Sequence, residues 1–317
     1  MTTSYVTPQM LTSSPASLSW TVVPSLTAST AEQAAQLANC CRTATSMVDG
    51  FCHQPLRATV NTETITGPGK GRLSVDLNTG IASLVTRRWP VAQVLAVQTS
   101  PARSFPPSWT SVEPDQWLIR YPVLSAPFAA PQSSPSGGNV IDLAPGVVAE
   151  GNGRGALRLE HAYLSGWAHA GTTSMALAGA MTMPVDDVTG WAGASGWIYD
   201  GTSTEPVTVT TVAADSPLVL TGIVAPVVNS LSGGALTVQA GPGTVTLASP
   251  LQYGHGAGTV VSALPETALR GAALFAAVQA IETIDAIATQ SLSGEVGSTS
   301  LLADSAEAAL CEFRRVA

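Results

Sequence analysis

Charge is what this 317-residue chain has least of: Asp, Glu, Lys and Arg together make up 11% of it, against about 25% in an average soluble domain. The positive side is 12 arginines and one lysine, Lys70, scattered except for Arg87-Arg88 and Arg314-Arg315. With a net charge of −8 and a pI of about 4.9, the chain lacks the basic footprint of a nucleic-acid-binding protein. Its surface has to be rich in Thr, Ser, Ala and Gly. Such a surface suits a subunit surrounded by neighbours better than a concentrated free monomer, which charge normally keeps apart.

Cysteine is scarce too. Cys40, Cys41, Cys52 and Cys311 form no C-x-x-C pair, which excludes zinc-ribbon and thioredoxin-type motifs. Three of them fall in one predicted helix as small apolar residues, as expected in a reducing compartment. The apolar stretch 272–288 is interrupted by Gln279, Glu282 and Asp285, so it does not read as a membrane span. The first 20 residues have no basic segment and carry Pro8 and Pro15, unlike a signal peptide. The expectation is a soluble protein made in a cytoplasm.

Motifs for chemistry are equally sparse. Gly67-Pro68-Gly69-Lys70-Gly71 has the glycines and lysine of a phosphate loop, but it lacks the four-residue spacing and the Ser or Thr that would follow the lysine. A tight turn accounts for it. His53, His161, His169 and His255 form no helical i, i+4 pair and read as surface or packing residues. There is no G-x-S-x-G elbow. Asp186-Asp187 lacks the alternating ligands of a calcium loop and reads as a turn, with Glu205 a further acidic residue of the same region. No catalytic residue, cofactor or metal site is expected.

What the sequence does contain is a succession of patterns. Residues 1–29, rich in Ser, Thr and Pro, read as an extended arm. Thr30 with Gln33 makes a capping box, and Leu37, Cys41, Ala44, Val48 and Phe51 form a helical stripe ending near Cys52. From Val60 the period falls to two: 73–77, 81–86, 91–97, 117–121, 140–143 and 156–163 are strand candidates, separated by Pro/Ser-rich loops at 100–111 and 125–138 that reach outward. Residues 171–262 contain no basic residue and carry short, Gly- and Pro-punctuated strand candidates typical of a small sandwich or barrel. Pro265 and Glu266 open a helix with a broad stripe of small residues, and a last helix ends at Arg314-Arg315. The fold class predicted is α+β: a helical core with a small β-sheet over 30–167 and 263–317, plus an inserted all-β sandwich- or barrel-like domain at 168–262.

Four of these segments together resemble the head–tail connector (adaptor) proteins of long-tailed bacteriophages. They are the helix containing Ala34 to Phe51, the Arg88-Trp89-Pro90-Val91-Ala92-Gln93-Val94-Leu95-Ala96-Val97 run into a strand, the Leu157-Arg158-Leu159-Glu160-His161-Ala162-Tyr163 strand running to Gly166-Trp167, and the C-terminus from Leu264-Pro265-Glu266 to Phe313-Arg314-Arg315. In simpler relatives the third segment runs almost directly into the fourth, so 168–262 stands as an insertion. The resemblance implies a homo-oligomeric ring, typically a dodecamer, beneath the portal protein of a filled head. It further implies a platform for the next tail-completion or tail-terminator protein, DNA passing through the lumen without sequence-specific binding, no membrane contact, and a place in the virion at the head–tail interface after synthesis in the host bacterial cytoplasm. Trp89, Pro90, Trp109, Arg314 and Arg315 are the candidate interface residues.

Two other functions fit the composition. A carbohydrate- or surface-binding β-module with helical attachments predicts a tryptophan-lined groove among Trp167, Trp191 and Trp197. An enzyme of a class without a local motif predicts a polar cluster in a deep pocket.

Overall fold

The computed structural model describes residues 3–11, 13, 16, 31–67, 72–76, 78–101, 104–120, 140–145, 147, 157–201, 203–224, 235–288 and 296–314. After α1 (Ala31–Cys52) come eight strands: β1 (Thr59–Gly67), β2 (Leu73–Val75), β3 (Ala82–Val85), β4 (Val91–Pro101), β5 (Thr110–Ser111), β6 (Trp117–Arg120), β7 (Val140–Leu143) and β8 (Leu157–Ser165). Eight more follow: β9 (His169–Gly171), β10 (Thr182–Val185), β11 (Ser195–Tyr199), β12 (Glu205–Ala214), β13 (Leu218–Val224), β14 (Ala235–Val238), β15 (Gly243–Leu247) and β16 (Val260–Ser262). The chain closes with α2 (Glu266–Ala288) and α3 (Val296–Leu310).

This overturns the predicted fold class. The protein is mostly β, 40% strand against 24% helix, with 16 strands in four sheets and three helices among the described residues, and no helical connector core is evident. The physical reason lies in segments such as Thr59–Gly67, TVNTETITG. Their alternation is between half-buried and exposed positions and not between oily and charged ones, so hydrophobic periodicity understates how many residues join ladders.

The chain divides into two compact units. One comprises 1–57, 168–215 and 242–317; the other comprises 58–167 and 216–241. Residues 168–215 therefore group with the helices, and the β13–β14 hairpin groups with 58–167, so these boundaries cross those expected for a core and an insertion.

In the first unit, an antiparallel six-stranded sheet has the order β10-β15-β12-β11-β16-β9. Met183, Val185, Trp191, Ile198, Val209, Val245, Leu247 and Val261 form its core. In the same unit α2 packs against α1 and α3. The expected stripes are the buried faces: Leu37, Cys41, Ala44 and Val48 on α1, and Leu269, Ala272, Ala273, Ala276, Ala277 and Ala280 on α2. The small side chains let the helices come close, and a Cβ at Gly271 would stand 2.6 Å from Leu310 Cγ. Cys40, Cys41 and Cys52 are buried packing residues outside any disulfide. Thr30 lies outside the described residues, as does the side chain of Gln33.

The expected arm is not extended where it is described. Tyr5, Val6, Met10 and Leu11 are buried, and Gln9–Leu11 is a 3-10 turn. The Tyr5 hydroxyl donates to Asp49 Oδ1 at 2.5 Å and accepts from the Leu56 and Arg57 amides at 2.9 and 3.2 Å. Burial and the neighbouring Asp49 carboxylate push this phenol well above its ordinary pKa, so it stays protonated and keeps donating. Residues 17–29 lie outside the described set.

The second unit has three layers. One sheet has the order β1-β8-β4-β5 and another β2-β3-β7-β6, all pairs antiparallel. Leu73, Leu84, Val91, Val97, Ile141, Leu143, Leu159 and Tyr163 fill the space between them. The β13–β14 hairpin covers the opposite face of β4 and β8 through Ile223, Leu236, Val238, Ala96 and Ala162.

Tyr5→Phe removes the donor to Asp49 and an acceptor of the buried Leu56 and half-buried Arg57 amides. We expect a loss of about 1–3 kcal/mol by urea unfolding; a loss within error of zero would show that the N-terminal segment is a passive passenger. Gly271→Val drives a branched side chain into Leu310, and a further loss of about 1–3 kcal/mol is expected from overpacking, checked in the same assay.

Candidate functional site

The buried face of β8 carries polar groups that need partners. Antiparallel register sets Glu63 opposite His161 and Asn61 opposite Tyr163 on β1 and β8. Glu63 accepts hydrogen bonds from Arg72, from the Tyr163 hydroxyl and, at 3.0 Å, from the Arg87 amide. Tyr163 in turn accepts from the Arg88 amide at 3.1 Å, and Arg72 also donates to the Val85 carbonyl at 3.0 Å. Burial alone would raise the Glu63 pKa. The hydrogen bonds from Tyr163, Arg72 and Arg87 outweigh it and hold the carboxyl below its usual range. Burial, helped by Glu63, raises that of Tyr163.

His161 stacks on Tyr163 with ring centroids 5.3 Å apart. It is fully buried, and neither ring nitrogen has a hydrogen-bond partner. Burial lowers its pKa to about 4, so the ring is neutral at pH 7. The Glu63 carboxylate is committed to its donors. The arrangement ties the 85–88 turn, which leads into β4, to β1 and β8.

A second polar group lies in the first unit. His255 is fully buried between Asp200, which follows β11, and Glu205, which opens β12. Its Nδ1 is 3.1 Å from Asp200 Oδ2. Its Nε2 is 3.3 Å from Glu205 Oε1 but out of hydrogen-bonding line. Glu205 Oε2 accepts from the Gln252 amide at 3.0 Å, and the His255 backbone exchanges two bonds with Ala176. This pins the loop before β16 onto the β11–β12 turn. His169 is a packing residue as well, bonded to Ser262 Oγ and the Ser4 carbonyl, with its pKa lowered to about 4 by burial. Asp186 caps the Gly171 amide at 2.7 Å and receives Thr3. Asp187 makes the expected turn, accepting from the Thr189 amide at 2.9 Å.

The candidate interface residues are scattered. Trp89, half-buried, and Pro90, buried, stand at the start of β4. Trp109, half-buried, precedes β5, which pairs with the far end of β4. Arg314, in the first unit, is exposed with its guanidinium 5.3 Å from the Phe51 ring centroid. Arg315 lies outside the described residues, as do Pro68 to Gly71 of the glycine-rich segment and the 125–138 loop. Trp167 and Trp191 are buried, and Trp197 is 43% exposed.

Sequence reasoning missed the most exposed apolar residues. Phe105 is 92% exposed and Leu118 66%. Leu118 lies on β6, an edge strand. It lines an open groove of about 320 Å³ with Ala92, Gln93, Val94, Trp117 and Ile119. In the first unit Met175, Leu177 and Tyr253 are also exposed. An aromatic residue inside a polar, proline-rich loop was the available signal for Phe105. For Leu118 the unbroken Trp117-Leu118-Ile119 run was another.

Among the described residues, no group of three or more His, Cys, Asp or Glu side chains is placed to hold a metal, and no helix is long and apolar enough to cross a membrane. No family model, curated protein or solved structure matches the chain.

The buried imidazole of His161 makes acid a destabiliser. Its folded pKa, about 4, is below the free value of 6.5, so the unfolded chain takes up the extra proton. The stability it contributes is complete above pH 6.5 and is lost as pH falls to about 4, by roughly 3 kcal/mol. Glu63, lowered from 4.5, adds a loss only below that pH. His161→Phe keeps a ring on Tyr163 without the proton. We expect a shallower fall in urea-unfolding stability between pH 6.5 and 4 than in the wild type; an unchanged slope would clear His161 of the effect.

Proposed function

We propose that the chain is a virion structural protein and not an enzyme: one subunit of a ring that sits beneath the portal, joins the DNA-filled head to the tail and extends the DNA channel. The observation that carries this reading is the exposure of large apolar side chains, Phe105, Leu118, Met175 and Leu177 among them, on a chain with only 11% charged residues. A surface of that kind is stabilised by being covered.

The segments behind the connector resemblance support the reading in a second way. The run from Arg88 to Val97 and the strand from Leu157 to Tyr163 lie side by side as β4 and β8, paired from Val91–Ser165 to Pro101–Leu157. The Trp89-Pro90 step is held at the head of that pair by the Gly166 amide, which donates to the Pro90 carbonyl at 2.9 Å. Pro265 stands directly before α2, where a proline costs no helical hydrogen bond. A net charge of −8 suits a lumen that repels phosphate and lets DNA slide. Partners under this reading are further copies of the chain, the portal protein and the next tail-completion protein.

The test is negative-stain microscopy and mass photometry of the full chain, alone and with purified portal. Closed rings, or portal-bound rings, are the expected result. A chain that stays monomeric at high concentration and ignores the portal would sink the proposal.

A further inference from the structure

In the first unit, residues 3–11 form a strap that joins no sheet and is held to the unit through side-chain contacts. It crosses from the six-stranded sheet to the helices. At the sheet, the Thr3 amide donates to Asp186 Oδ2 at 3.1 Å, and the Ser4 carbonyl faces His169 Nε2 at 3.0 Å. A carbonyl only accepts, so Nε2 carries the proton and Nδ1 accepts from the Ser262 hydroxyl at 3.0 Å. At the helices, Thr45 Oγ1 accepts from the Tyr5 amide at 3.0 Å, and the Gln9–Leu11 turn packs on α2. Tyr5, Val6, Met10 and Leu11 are each 1% exposed or less.

The seat is particular about its occupant. It takes an acceptor at His169, an amide and a hydroxyl at Asp186, and a phenol between Asp49 and the Leu56 and Arg57 amides. Thr3-Ser4-Tyr5 supplies these groups in order, and every copy of the chain carries it. Length allows the strap to reach a neighbour. Residues 17–30, 14 in number, separate Ala16 from α1 and span at most about 50 Å. Tyr5 sits on Thr45, about 21 Å along α1 from Ala31 at the rise of a helix, so the tether has length to spare for the seat of an adjacent copy.

We propose that the strap is exchanged, so that in the assembled protein residues 3–11 of one copy occupy the seat of the next. Exchange of a terminal segment keeps every contact that the closed chain makes and adds a link between copies. The link is heterologous: strap and seat are different surfaces, each copy offers one of each, and rotation closes the series into a ring. The inference rests on the ring reading above and supplies one of its subunit contacts.

The test places a disulfide across the seat of the full-length chain, with the exposed Cys311 changed to Ser. A Cβ at Gly171 would lie 3.4 Å from that of Thr3, and one at Gly201 3.7 Å from that of Gln9, close to the roughly 3.5–4.5 Å of a disulfide. Thr3→Cys/Gly171→Cys and, independently, Gln9→Cys/Gly201→Cys are assembled under reductant, alone and with portal, then oxidised and run on non-reducing gels. The expected result is a ladder of covalent multimers that reductant collapses to one band. A Thr3→Cys chain mixed with a differently tagged Gly171→Cys chain is expected to give a covalent heterodimer, which closure within one chain cannot produce. This mixture carries one seat substitution per chain and decides the case where a double variant does not assemble. Rings in which the pairs close only within single chains, or mixed rings that give no heterodimer, overturn the exchange and leave the ring reading standing. A wild type that forms no rings at all, alone or with portal, overturns both.

Discussion

Strand β8 is buried on both faces, and the strand-built unit is arranged around that constraint. Leu159, His161 and Tyr163 point to one side and Ala162 to the other, all with no exposed surface. A strand in this position must satisfy the polar side chains it carries or lose the hydrogen bonds that water would supply, as both ring nitrogens of His161 do. On one side Tyr163 finds Glu63, which gathers Arg72 and the Arg87 amide. On the other, Gln98 of neighbouring β4 donates to Glu160 at 2.6 Å and to the Gly222 carbonyl at 3.0 Å. Gly222 has φ +87°, a conformation that favours glycine, at the register shift of β13. The hairpin is thus held to the sheet by a polar bond as well as by Ile223, Leu236 and Val238.

That coupling explains why 216–241 belongs with 58–167 although nearly 50 residues of the other unit precede it in the chain. Deleting 168–262 as if it were one inserted domain would strip the cover from Ala96 and Ala162. It would also cut β9 to β12, β15 and β16 from the unit that holds the helices. The N-terminal segment belongs to the same account. Tyr5 donates to Asp49 and accepts from the Leu56 and Arg57 amides where α1 gives way to extended chain, so the first residues complete the hydrogen bonding of that turn.

Elements marked by local physics were legible in the sequence. The α1 stripe and Pro55 set the end of that helix, Pro90 the start of β4 and Pro265 the start of α2, because proline acts on its immediate neighbours. Three of the four histidines read as surface or packing residues turn out to be buried packing groups. What was not legible depends on partners distant in sequence. Nothing local to Leu218–Val224 says that it covers β4 and β8 and does not join the six-stranded sheet, since every strand in 171–262 shares one composition. Nor does a Ser- and Thr-rich start reveal that Tyr5, Met10 and Leu11 are buried. Of the interface candidates Trp89 and Pro90, the second is buried at a strand start. Phe105 and Leu118, exposed on a loop tip and an edge strand, had no periodicity to announce them.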